Sequence, residues 1–105
     1  MKKAGIIGYG RFGRILSDLL SKKYEITVYD IEEVPNNEKI QICSMDKVLE
    51  SILIFIAVPI RSFEKVIKEI AKYKLYNTTI IDVCSVKVYP VKIMEKYLSD
   101  QVGII

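Results

Sequence analysis

The chain has 105 residues, the length of one modest domain with a single core, and a second domain is not expected within it. Half of the residues are hydrophobic, yet no apolar run approaches the roughly 18 needed to span a bilayer, and Ala4-Gly5-Ile6-Ile7-Gly8 breaks into glycine too early for a secretory signal, so a cytoplasmic protein without membrane contacts is expected. Sixteen basic residues against thirteen acidic ones leave a net charge of +3, scattered along the chain and not massed into a stripe, which argues against a nucleic-acid partner.

In chain order, Lys3-Ala4-Gly5-Ile6-Ile7-Gly8 reads as a buried strand ending in glycine. Phe12, Ile15, Leu16, Leu19 and Leu20 then repeat at the spacing of one helical face, and Lys22 and Lys23 place positive charge at that helix's negative end. Glu25–Asp30 is a second β-rich run. The loop from Ile31 to Lys39, with Pro35-Asn36-Asn37, is tight for a crossover helix, so Ile40–Cys43 is predicted as a short edge strand. Asp46–Ser51 makes a brief helix, and the very apolar Ile52–Val58 a central strand buried on both faces.

Ser62 is the expected cap of the next helix, with the stripe Phe63, Val66, Ile67, Ile70 and Ala71. Thr79–Val83 is the fifth strand, Pro90 opens a helix carrying Val91, Met94, Tyr97 and Leu98, and Val102–Ile105 begins a sixth strand. Such alternation predicts an α/β fold of the Rossmann type: a parallel sheet of order 3-2-1-4-5-6 with helices on both faces. Ligands then bind at the carboxyl ends of the strands. Cys43 and Cys84 are too far apart for a local metal knuckle and lie beside β-branched runs, so both are expected as small core residues and no metal site is expected.

Gly8-Tyr9-Gly10-Arg11-Phe12-Gly13 has the glycine spacing of a dinucleotide-binding turn, here in the required context: a strand before it, an amphipathic helix after it, and an acid, Asp30, ending the second strand. Gly8 allows the tight turn, Gly10 the approach of a pyrophosphate, and Gly13 close helix–strand packing, with the phosphates on the helix N-terminus. Asp30 accepts from ribose hydroxyls, and Glu32 and Glu33 after it repel a 2′-phosphate, so the expected cofactor is NAD. Arg11 can reach the pyrophosphate, while Phe12 reads more as core than as ligand contact. Val58 and Pro59 fall where the nicotinamide half rests, and Ser85 and Lys87 bring a hydroxyl and an ammonium to the same cleft.

Gly8–Gly13, Val58-Pro59-Ile60 and above all Asp82-Val83-Cys84-Ser85-Val86-Lys87, followed by Tyr89-Pro90 and Met94, resemble the N-terminal half of prephenate and arogenate dehydrogenases over essentially the whole chain. The resemblance implies NAD(P) binding and oxidative decarboxylation of prephenate or arogenate in tyrosine biosynthesis. Ser85 would be the catalytic-site hydroxyl on substrate or nicotinamide, with Val58 and Pro59 lining the nicotinamide pocket. It also implies a histidine after the sixth strand and a helical dimerisation domain. The chain contains no histidine and stops at Ile105, so cofactor binding without turnover, and self-association through exposed apolar surface, are expected of it. Two other readings remain at this point. One is a non-enzymatic dinucleotide sensor of the potassium-transport type, which opens with a similar glycine turn; the other is a subunit lending its nucleotide site to a partner.

Overall fold

The computed structural model describes residues 2–31, 39–75, 77–83, 96, 97, 103 and 104. The elements are β1 (Lys3–Ile7), α1 (Arg11–Leu20), β2 (Glu25–Tyr29), β3 (Ile40–Ile42), α2 (Met45–Val48), β4 (Leu53–Ile56), α3 (Ile60–Ile70), β5 (Thr79–Asp82) and β6 (Gly103–Ile104). They form one six-stranded sheet in the predicted order β3-β2-β1-β4-β5-β6, and every pairing is parallel. β1 lies at the centre, with Ile6 opposite Val28 on one side and Phe55 on the other. The winding therefore reverses beside β1, and right-handed crossovers place α1 and α3 on opposite faces.

Two apolar layers result. On one face Phe63, Ile67 and Ile70 of α3 and Met45 and Val48 of α2 pack with Ile54, Ile56 and Ile80. On the other, Ala4, Ile6, Ile26, Val28 and Ile40 form the floor beneath Leu16 and Leu20 of α1. Lys96 and Tyr97 are helical, and the Tyr97 hydroxyl donates to Glu64 Oε2 at 3.1 Å, which puts this turn on the α3 face.

Three local expectations change. The apolar stripe of α1 does not all reach the sheet: Gly13 and Ser17 are buried, whereas Phe12, Ile15 and Leu19 are 51%, 52% and 68% exposed. Ser62 does not cap α3; Pro59 occupies that position, its fixed φ of −57° leading straight into helix at Ile60, and the Ser62 N–H donates to the Pro59 carbonyl at 2.9 Å. β4 is not buried on both faces, for Ile54 and Ile56 are buried while Leu53 and Phe55 are only half-buried. Among the described residues no helix is long and apolar enough to cross a membrane.

Candidate functional site

The loops after β1, β2 and β4 and the end of β5 meet at the carboxyl edge of the sheet around a cleft of about 520 Å³. Each loop is shaped by its residues. Gly8 has φ +97°, a left-handed conformation that suits glycine, and a Cβ there would stand 2.7 Å from the Ala57 carbonyl oxygen. Its N–H donates to the Tyr29 carbonyl at 2.8 Å, so the chain turns while still tied to β2. A Cβ on Gly13 would lie 2.3 Å from the Gly8 carbonyl oxygen; only glycine lets α1 begin directly on the turn. Gly10, at the N-cap of α1, has nothing within 4 Å of its Cβ position and borders the cleft. The first N–H groups of a helix lack intrahelical acceptors, so α1 presents unsatisfied donors and its positive dipole end here.

Asp30 follows β2 and lines the cleft, with its Oδ2 accepting from the Tyr9 N–H at 2.7 Å. That bond joins the acid at the end of one strand to the glycine turn after another. The Tyr9 side chain points elsewhere: it is buried in the α1-side core, its hydroxyl lies 3.2 Å from Ser17 Oγ, and the Arg14 guanidinium stands 5.7 Å from its ring centroid. Ser17 in turn donates to the Arg14 carbonyl at 2.9 Å. Tyr9 thus borders the site through its backbone and anchors the turn to α1 through its ring.

Val58, Pro59 and Phe12 form an apolar wall of the cleft, and Arg11 lies in the same lining. Phe12 is the correction among these, since its half-helical pattern suggested core and the structure puts it on an open flank of α1 facing the cleft. The sequence reading missed Ile31, Arg61, Ser62 and Val66, which also line the cleft. A signal for Arg61 and Ser62 existed: they open the helix that follows Val58-Pro59, and helices after strands begin at the ligand edge. Val83 lines the cleft beyond β5, whereas Asp82 is buried on the α3 face beside Ile56. Ser85, Lys87, Cys84, Glu32 and Glu33 lie outside the described residues. Among the described residues no cluster of His, Cys, Asp or Glu could hold a metal, and Cys43 packs partly against the α3-side core.

The family described as "Prephenate dehydrogenase, nucleotide-binding domain" matches residues 15–105, most of the chain. This chain belongs to that family. The match begins just after the glycine turn and takes in the later segments, so the potassium-transport type of sensor is not favoured. Among solved structures, prephenate dehydrogenase from A. aeolicus, in complex with hydroxyphenyl propionate and NAD+, is 24% identical with a TM-score of 0.74, over 97% of this chain and 40% of that one. Arogenate dehydrogenase from Synechocystis is 19% identical with a TM-score of 0.79, over 96% and 39%. NAD-dependent formate dehydrogenase from Staphylococcus aureus, in complex with NAD, is 19% identical with a TM-score of 0.72, over 95% and 32%. These likenesses show the shared fold, and this chain spans well under half of each of those chains. A search of curated proteins returns no match.

Proposed function

We propose that residues 1–105 are the NAD-binding domain of a dehydrogenase acting on prephenate or arogenate. The carrying observation is the glycine turn at the head of α1: Gly10 borders open space and the turn is bonded to the Asp30 carboxylate. A Cβ-free cradle at a helix N-terminus beside a strand-ending acid fits a dinucleotide. The N–H groups opening α1, with Arg11, would hold the pyrophosphate, and Asp30 would accept from the adenosine ribose. Phe12, Val58 and Pro59 would give the nicotinamide half an apolar wall.

Bound NAD supplies the hydride acceptor for an oxidation that, on prephenate or arogenate, is accompanied by loss of carbon dioxide. The chain's own share of that chemistry is binding and orientation: an apolar wall excludes water from one side of the cleft, and Ser85 is proposed as the hydroxyl that positions substrate or nicotinamide. No histidine occurs in these residues, so the proton acceptor suited to near-neutral pH is assigned to polypeptide outside them, as are dimerisation and full enclosure of substrate.

Calorimetric titration with NAD, together with NADH formation on prephenate and on arogenate, tests the proposal. The expected result is NAD binding by the 105-residue chain with turnover at least about 10²-fold below that of a complete family enzyme, the loss typical when a positioned base is missing. No NAD binding by the folded chain overturns the cofactor assignment, and turnover equal to a complete enzyme overturns the assignment of the base.

A further inference from the structure

We propose that Arg61 and Ser62 of α3 bind the adenine base of the cofactor, Ser62 at the polar edge of a slot walled by Val66, Tyr29 and Ile31, and Arg61 stacked across its mouth. This rests on the dinucleotide reading above and gives a role to cleft residues that the glycine turn and Asp30 leave without one. Among the described residues no side-chain hydrogen bond or ion pair engages Arg61 or Ser62, although both line the cleft.

The two flanks of α3 face different ends of the sheet. The Glu64 carboxylate accepts from Tyr97, which lies in the chain between β5 and β6, so that flank is turned toward β5. Successive helical residues are about 100° apart, so Ser62 and Val66, each two residues from Glu64, lie about 200° around the axis, on the flank turned toward β1 and β2. The end of β2 forms the opposite bank. Tyr29 is half-buried against the same α3-side core as Val66, and Ile31 stands beside the cleft 84% exposed.

Covalent connectivity selects the occupant. In a dinucleotide the base is joined directly to the ribose that Asp30 would hold, and the pyrophosphate leaves that ribose toward Gly10, so adenine lies at the β2 end of the cleft. Its faces are apolar enough to cover Ile31 and Val66, which otherwise stay partly in water, and its nitrogens form a polar edge for the Ser62 hydroxyl. Arg61 is exposed on the outer side of the first turn of α3, and a planar guanidinium stacks on aromatic faces. A phosphate is the competing partner for Arg61. The donors at the head of α1 stand on the other face of the sheet from α3, however, so Arg61 approaches the cleft from the side away from the pyrophosphate cradle.

The test titrates the full chain by calorimetry with NAD and with ADP-ribose, which keeps the adenine and lacks the nicotinamide. Arg61→Ala and Ser62→Ala should each weaken both ligands by the same factor, about three- to tenfold. Arg61→Tyr, which restores a stacking plane without charge, should recover most of the loss, and Arg61→Lys should not. Recovery by lysine and not by tyrosine makes Arg61 a phosphate ligand and overturns the proposal. In methyl NMR spectra of the parent, adenosine monophosphate should move the Ile31 and Val66 methyl signals upfield through the ring current of the base, whereas ribose 5-phosphate should not. Methyl signals that stay in place while NAD binds, or unchanged affinity in both alanine variants, overturn the adenine slot and leave the dinucleotide reading standing. A folded parent that binds no NAD overturns both.

Discussion

Gly10 and Gly13 stand three residues apart in one turn, yet the structure separates their roles, and a pair of variants exposes the difference. In Gly13→Ala the new Cβ would stand 2.3 Å from the Gly8 carbonyl oxygen and 3.5 Å from Ile6 Cγ2. The oxygen is backbone and has no rotamer in which to escape, so α1 must lift from the turn by about 1 Å, an overpacking that costs about 1–3 kcal/mol. Alanine's better helix propensity offsets about 0.5–1 kcal/mol of this. The net loss of about 1–2 kcal/mol corresponds to a thermal midpoint lower by roughly 5–15 °C in a domain of this size. NAD affinity should fall with it, because the donors at the head of α1 move. Gly10→Val should do the reverse: with nothing within 4 Å of the Cβ the fold stays within about 4 °C of the parent, while NAD binding drops more than about tenfold because the side chain enters the pyrophosphate space. Circular dichroism melts and calorimetric titration of both variants read the two effects. An unchanged midpoint for Gly13→Ala, or a folded Gly10→Val that binds NAD normally, would refute the reasoning.

NAD should bind about ten- to a hundredfold more tightly than NADP, since a 2′-phosphate placed at Asp30 meets like charge at short range; Asp30→Ser should lose most of that preference, and equal affinities in the parent would sink the role of Asp30. Tyr9→Phe removes the hydroxyl lying 3.2 Å from buried Ser17 and should cost about 1 kcal/mol in denaturant unfolding, with NAD affinity nearly unchanged because only the Tyr9 backbone borders the site; a large loss of affinity at full stability would contradict this. The Ser44 hydroxyl bonded to Asp46 holds that carboxyl below the usual range. Its contribution is present above the unfolded-state pKa and is lost as pH falls through the depressed folded value, so Ser44→Ala should move the Asp46 titration upward in an NMR pH series.

Strand order and the glycine turn were readable because each rests on a local rule: short β-rich runs alternate with 3.6-residue periodicity, and glycine is demanded where backbone meets backbone. Gly8 at φ +97° and Gly13 against the Gly8 carbonyl are such demands. Arg61 and Ser62 escape notice as site residues, although helices after strands begin at the ligand edge, because their place in the cleft depends on where α3 starts, and reading Ser62 as the cap starts that helix three residues late. Pro59 took the position instead, which moved the first turn of α3 to the cleft edge. Tyr9 shows a different limit. Its place in the motif suggested ligand contact, whereas the Asp30 bond uses its N–H and sends its ring into the core.

The apolar pattern of α1 misled for a reason that connects binding to packing. A helix whose first N–H groups must sit at the end of β1 has to approach the sheet closely, and close approach requires small residues along its line of contact. Gly13 and Ser17 occupy that line, and both are buried. Larger apolar residues are thereby displaced to the flank, where Phe12 reaches the cleft and Ile15 and Leu19 remain open. Periodicity records that α1 has an apolar side, but which residues touch the sheet is decided by interaxial distance, and that distance is set here by the glycine turn, where a Cβ on Gly13 would meet the Gly8 carbonyl. The same constraint that builds the glycine turn therefore leaves Phe12, Ile15 and Leu19 of α1 turned away from the sheet.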